Sequence, residues 1–222
     1  MDARIIELLL GSFFKILIPG LVYTIPLTLI SFFFGLILAL LTAMVQIADI
    51  KILKQIAKFY VWIIRGTPLL VQIFIIFYGL PNAGILLNPL PAAVIAFSLN
   101  VGAYASETLR ATILSIPKGQ LEAGYCVGLS YVQTMRLIIL PQAFKTAFPP
   151  LFNSFIGLVK DTSLASSITV TEMFMATQQI AARTFEPLAL YCEVALIYLI
   201  FCTILTQVQH YGEKRMSMNQ TT

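Results

Sequence analysis

Long apolar runs separated by short polar intervals organise this chain. Ile16 to Ala48 contains no charged residue, more than the ~20 residues a helix needs to cross a bilayer, and predicts a first span over residues 20–44. Gly66 to Ser106 is also uncharged and is long enough for two crossings. It is interrupted by Gly79-Leu80-Pro81-Asn82-Ala83-Gly84 and Asn88-Pro89-Leu90-Pro91, and such Pro/Gly punctuation marks a loop between helices. Spans over 60–80 and 92–113 follow. The uncharged run Thr146–Val159 is too short to cross alone, so a fourth span over 147–168 has to take in Lys160 and Asp161. A last apolar run gives a fifth span over 188–208.

Composition agrees. Of 222 residues, 59% are hydrophobic and 11% charged, against roughly 45–50% and about 25% in soluble domains. With a mean hydropathy of +0.89, the chain reads as an all-α integral membrane protein, and soluble enzymes, disordered tails and nucleic-acid modules are excluded. The charges then report orientation. Lys and Arg accumulate in cytoplasmic loops. Lys51, Lys54, Lys58, Arg65, Arg110, Lys118, Arg136, Lys145, Lys214 and Arg215 fall on one side of a five-span arrangement, and Arg4, Lys15 and Arg183 on the other. That places the N-terminus outside and the C-terminus inside. Cys126, Cys192 and Cys202 show no C-x-x-C spacing and His210 stands alone, so neither a disulfide framework nor a metal site is expected. The N-terminus from Met1 and Asp2 through Lys15 mixes charges of both signs without a small-residue cleavage site, and reads as a short amphipathic lead-in and not a removed signal peptide.

The cytoplasmic interval 117–141 is too regular for a plain loop. Pro117 suits the first turn of a helix and Gly128 the left-handed residue after its end. Ser130-Tyr131-Val132-Gln133 matches the capping box that opens a second helix, which Pro141 would end or kink. The result is a helical hairpin held out from the membrane, read as a docking surface for a soluble partner. Ala123, Gly124 and Gly128 would let that partner's surface approach the backbone closely. DNA binding fits poorly, because the unit is tied between two spans and only Lys118 and Arg136 are placed to meet phosphates.

Glu122-Ala123-Gly124, Gly128 and Ile138-Ile139-Leu140-Pro141 resemble the EAA loop of ATP-binding-cassette (ABC) importer permeases, with Gly124 where alanine is common. Arg65-Gly66-Thr67-Pro68-Leu69-Leu70-Val71-Gln72, Tyr78-Gly79-Leu80-Pro81 and Lys160-Asp161-Thr162-Ser163-Leu164 further resemble the polar amino acid branch of that family. The resemblance implies the type I ABC importer permease fold, with the EAA loop as the coupling helix in the bacterial inner membrane. It implies two ATP-binding cassette subunits inside, a second permease copy or homologue, and an extracytoplasmic solute-binding protein. ATP and Mg would then sit on the partner ATPase. The sequence agrees in one respect: no G-x-x-x-x-G-K-[ST] phosphate loop occurs, so the chain is expected to translocate and not to catalyse.

Intramembrane ions are costly and usually face a cavity or a partner. Asp161 either lines the substrate path, holding an α-ammonium group, or forms a structural ion pair; Lys160 is open in the same way. Thr162 and Ser163 continue a polar face, with helix packing as the alternative reading. Asn100, Tyr104 and Glu107 share one helix face and could line the same cavity, although Glu107 is also placed to pair with Arg110. Where permeases for basic amino acids resembling this one carry Asn-Glu-Phe, this chain has Asn153-Ser154-Phe155. Ser154 in place of that carboxylate favours a neutral polar substrate, with L-cystine or glutamine both fitting and cystine the closer pattern. The alternative class is an ion-gradient transporter or channel subunit working without an ATPase. It would be expected to show internal repeats, and none is evident.

Overall fold

The computed structural model describes residues 3–48 and 50–218; Met1 and Asp2, where the expected lead-in begins, lie outside them. The described residues are helical, with no strand among them. Helices α1 (Ala3–Pro19) and α2 (Ile25–Ile47) run on through a π turn, Gly20–Thr24, as one rod of 45 residues. α3 (Lys51–Gly66) and α4 (Leu69–Phe74) follow, α4 continuing through a π turn, Ile75–Gly79, and a 3-10 turn, Leu80–Ala83. Next come α5 (Pro89–Ser115), α6 (Lys118–Cys126) and α7 (Tyr131–Thr134). A π turn, Met135–Ile139, leads from α7 into α8 (Leu140–Asp161), which is extended by a 3-10 turn, Thr162–Ile168. α9 (Met173–Thr184) and α10 (Pro187–Met218) complete the chain.

Three helical stretches, Ala3–Ile47, Pro89–Ser115 and Pro187–Met216, are long and apolar enough to cross a membrane, and α3 with α4 makes a fourth if that bent pair is one span. The segment expected as a single helix over 60–80 is in fact bent by 110° between α3 and α4. Pro68 explains the break. Its ring excludes the preceding residue from helical geometry, and Thr67 is extended at φ −125°, ψ 147°.

Three other prolines are absorbed without a break. Pro26, Pro81 and Pro141 each follow a π turn that ends two residues earlier. A proline has no N–H to give and its ring crowds the carbonyl four residues back. Widening the turn before it shifts the bonding to i−5, as in Ile25 N–H to Gly20 O and Leu140 N–H to Met135 O. Pro141 therefore does not end the second hairpin helix, which runs on through α8.

The main core lies between α2 and α5 and extends to α8. Leu27, Ala39, Ala92, Ala93, Ala96, Phe97 and Ala147 are buried there. Lipid tails are as apolar as leucine, so helices in a bilayer associate by close van der Waals fit through small residues. Gly35 shows this: a Cβ there would sit 2.6 Å from the Val101 side chain. A second cluster, Ile16, Met173, Leu190, Val194 and Ile197, joins α1, α9 and α10. A third, Ile113, Met135, Ile139 and Ala143, roots the hairpin in the bundle.

Candidate functional site: a rigid hairpin and the polar groups of the bundle

The hairpin is built by local signals that agree with one another. α6 starts directly after Pro117, which sits one position outside the helix in extended geometry. At its other end Gly128 is left-handed, φ 80°. Gly128 N–H donates to Tyr125 O and Leu129 N–H to Gly124 O, each at 3.0 Å, the two bonds that close a helix end through a left-handed glycine. The reciprocal cap at Ser130 is complete: Gln133 N–H donates to Ser130 Oγ at 3.3 Å and Ser130 N–H to Gln133 Oε1 at 2.8 Å. Gln142 Nε2 donates across to Gln120 Oε1 at 3.3 Å, tying α6 to the root of α8.

Gly124, expected to face a partner, turns inward. It is buried, and a Cβ at this position would stand 2.6 Å from Thr134 Oγ1 and closer still to Thr134 Cγ2. The glycine is therefore not a loosening of the helix; it lets α6 close on α7. Thr134 is itself fully buried, its hydroxyl donating to Ser130 O at 3.0 Å. The face left for a partner carries Glu122, Ala123 and Gly128 together with the exposed apolar groups Tyr125, Val127, Tyr131 and Val132.

Within the bundle, Asn100, Tyr104 and Glu107 each meet a partner from another helix. Asn100 Nδ2 donates to Gln72 Oε1 at 3.1 Å. The Gln72 amide in turn donates to Ile64 O, Thr67 O and Thr67 Oγ1 at 2.7–3.0 Å. Gln72 thus satisfies carbonyls freed by the break at Pro68. The Arg65 guanidinium lies 5.3 Å from the centre of the Tyr104 ring. Glu107 pairs with Arg110 at 2.8 Å and accepts from Gln46 Nε2 at 3.2 Å. It lines a cleft shared with Arg65 and Arg110, and Asp161 does not line that cleft.

Asp161 and Lys160 end α8 exposed on the single chain, and among the described residues neither makes an ion pair or a side-chain hydrogen bond within it. Lys160 and Ser163 line a groove of about 600 Å³ walled by Phe174, Tyr191, Tyr198 and Cys202. Phe174 and Tyr191 stack there with centroids 5.8 Å apart. Thr162 is fully buried and donates to Val159 O at 2.7 Å, and Ser154 donates to Pro150 O at 3.0 Å. These two hydroxyls serve their own helix; Lys160, Asp161 and Ser163 stand towards open space.

One buried group escaped the sequence reading. Glu172 has no exposed surface and caps α9, accepting Phe174 N–H at 2.8 Å and Met175 N–H at 2.7 Å. Tyr198 Oη donates to it at 3.2 Å from α10. The next residue, Met173, donates its N–H to Thr24 Oγ1 on the π turn of the first rod at 3.5 Å. Two helices thus meet at one carboxylate, and the first rod joins them through the neighbouring Met173 N–H. Glutamate is not among the preferred capping residues, so only its place directly before a helical run hinted at the role.

Comparison with known proteins supplies what geometry alone leaves open. Residues 35–218 match the family described as the binding-protein-dependent transport system inner membrane component. The chain is 54% identical over 211 residues to the L-cystine transport system permease protein TcyB of Bacillus subtilis (strain 168), covering 95% of this chain and 90% of that one. It is 37% identical over 205 residues to the glutamine transport system permease protein GlnP of Escherichia coli (strain K12), covering 91% and 94%. Among solved structures, an amino acid ABC transporter with histidines superposes at a TM-score of 0.87 with 31% identity, over 97% of this chain and 100% of that one.

Proposed function

This chain belongs to the family of inner membrane components of binding-protein-dependent transport systems, and from that premise we propose that it carries L-cystine through the cell membrane as the permease of an ATP-driven importer. It is a multi-pass membrane protein of the amino acid ABC permease type. The observation that carries the mechanism is the rigidity of the α6–α7 hairpin. A docking element can move the bundle only if it does not bend when pushed. Here both helix ends are capped, the Thr134 side chain packs directly against the bare backbone of Gly124, and the third core cluster roots the unit in α5 and α8.

In this reading two ATP-binding subunits, holding ATP and Mg, seat against Glu122, Ala123 and the exposed aromatic residues of the hairpin. A second permease copy or homologue covers the exposed face of α8, and a solute-binding protein delivers substrate from outside. The chain crosses five times with its N-terminus outside, the bent pair α3–α4 and the charged helix α8 supplying the two crossings that hydropathy alone does not. Asp161 would meet the α-ammonium group of the substrate and Lys160 its carboxylate. The pair supports this role by standing unpaired within the chain, because an ion in a membrane needs a partner or water. L-cystine rests on the 54% identity to a named cystine permease and on Ser154 standing where a carboxylate would mark a basic substrate.

The test is to purify the chain with its ATPase and solute-binding protein and compare free amino acids as stimulants of ATP hydrolysis. L-cystine is expected to stimulate above glutamine and histidine. Equal or greater stimulation by either would remove the substrate assignment, and failure of the ATPase to co-purify would remove the docking role.

A further inference from the structure

Helix α8 buries one side and leaves the other uncovered. Leu151, Leu158 and Val159 are buried where α8 meets α2, α5 and α10. On the opposite side Asn153, Lys160 and Asp161 are exposed, and a Cβ on Gly157 would meet nothing within 4 Å. Gly157 is the centre of that side. Asn153 lies four residues before it, Lys160 three and Asp161 four after it, so all three are its neighbours on the helix surface. Lys160 and Asp161 themselves point ~100° apart, one to each side of Gly157. Lys160 takes the side towards α10, where it borders the groove with Tyr198 and Cys202.

In the five-crossing arrangement proposed above, α8 enters the bilayer near residue 147, which sets Asp161 roughly 20 Å inside it, within a hydrocarbon core ~30 Å thick. Lipid tails cannot cover two ions there. The face therefore needs a cover that is itself charged, with one site of each sign. Two copies of the chain that both turn their hairpins to the cytoplasm are related by an axis along the membrane normal. That rotation sets the left side of one face against the right side of the other, so whatever residue i meets, its equivalent meets in return. Lys160 of one copy then stands beside Asp161 of the other, and the reverse, with the two levels only about 1.5 Å apart. Gly157 lies one turn below, where the bare backbone lets the two helices come close.

We propose that the cover is a second copy of this chain, packed α8 against α8, and that Lys160 of each copy pairs with the partner's Asp161 while the path holds no substrate. The inference rests on the importer reading above and names the partner of that same site. A homologue would have to repeat both charges in the same order; a second copy does so by symmetry. An amino acid zwitterion carries the same two charges and takes over the partner's place at each of them. Its ammonium group replaces the partner's Lys160 at Asp161, and its carboxylate replaces the partner's Asp161 at Lys160. Between substrates the reciprocal pairs keep the path closed.

The experiment is cross-linking in the assembled transporter without substrate, using a short bismaleimide and one introduced cysteine in a chain whose Cys126, Cys192 and Cys202 are replaced by serine. Gly157→Cys and Asn153→Cys change residues that face open space on a single chain, and each should link two copies. Phe33→Cys, 61% exposed on α2, should not. Adding Lys160→Glu sets like charges against each other at both crossings and should lower the linked fraction by at least roughly tenfold. Lys160→Asp/Asp161→Lys exchanges the charges and rebuilds both pairs across the axis, so linking should recover. Its substrate-stimulated ATP hydrolysis should stay low, because each charge now meets the wrong end of the substrate. Absence of a link at both positions in an assembled complex would overturn the proposal. So would linking equal to that of Phe33→Cys, a linked fraction indifferent to Lys160→Glu, no recovery in the exchanged variant, or a purified complex that joins this chain to a different permease. If the exchanged variant regains stimulation together with linking, the reciprocal pair stands and the substrate role of Lys160 and Asp161 falls.

Discussion

Gly124→Ala tests whether the hairpin works as a stiff unit, because two effects of known sign oppose each other there. Alanine in place of a helical glycine ordinarily stabilises by about 0.5–1 kcal/mol. Here the new methyl would overlap both branches of Thr134. Thr134 cannot swing aside easily, being β-branched, fully buried and hydrogen-bonded to Ser130 O. Forcing a methyl into a filled site costs typically 1–3 kcal/mol, so the net expectation is a loss of about 1 kcal/mol, or roughly fivefold in the population of the closed hairpin. Thr134→Ala removes both overlapping atoms. Gly124→Ala/Thr134→Ala should therefore recover most of the loss, with a coupling energy of about 1–2 kcal/mol in the double-mutant cycle. The readouts are the thermal midpoint of the purified complex and its substrate-stimulated ATP hydrolysis. If Gly124→Ala is as stable and as active as the parent, or if Thr134→Ala gives no relief, close contact at Gly124 is not what sets the hairpin.

Other expectations follow from single groups. Glu172→Ala removes the cap of α9 and orphans two buried N–H groups and the Tyr198 hydroxyl. At about 1–3 kcal/mol for each unsatisfied buried group, it should lower the midpoint far more than Glu186→Ala, whose carboxylate only meets the mostly exposed Arg4 at 3.9 Å; similar midpoints for the two would dismiss the buried network. Asp161→Asn should abolish substrate stimulation while the complex still assembles and turns over ATP at its basal rate. Normal stimulation would take Asp161 out of the path. Cys126 on the hairpin and Cys192 early in α10 are both exposed, so in variants retaining one cysteine at a time an impermeant maleimide should label Cys126 only from inside and Cys192 only from outside. The reverse pattern would invert the topology.

Legibility in the sequence followed the range of the signals. The hairpin was readable almost atom by atom because its caps act over three to five residues: Gly128 and the Ser130–Gln133 box stand where the pattern put them. The inward turn of Gly124 was not readable, since it depends on Thr134 returning from the next helix. The break at Pro68 was hidden by the apolar run around it, although a proline preceded by Thr67 carried the local information. The π turns ahead of Pro26, Pro81 and Pro141 have no composition of their own; only their shared distance to a proline identifies them. Asn100, Tyr104 and Glu107 share one face as their spacing implies, but their partners Gln72, Arg65 and Gln46 come from other helices, and nothing local in the sequence announces those partners. Glu172 was missed for the same reason, its side-chain partner Tyr198 coming from another helix.

The central claim, an ATP-driven L-cystine importer, is tested most directly by uptake of labelled L-cystine into proteoliposomes that hold the chain with its ATPase and have ATP sealed inside. Uptake should require the external solute-binding protein and internal ATP, and should persist when proton and sodium gradients are collapsed. Uptake that continues without ATP and stops when the gradients collapse would contradict the account.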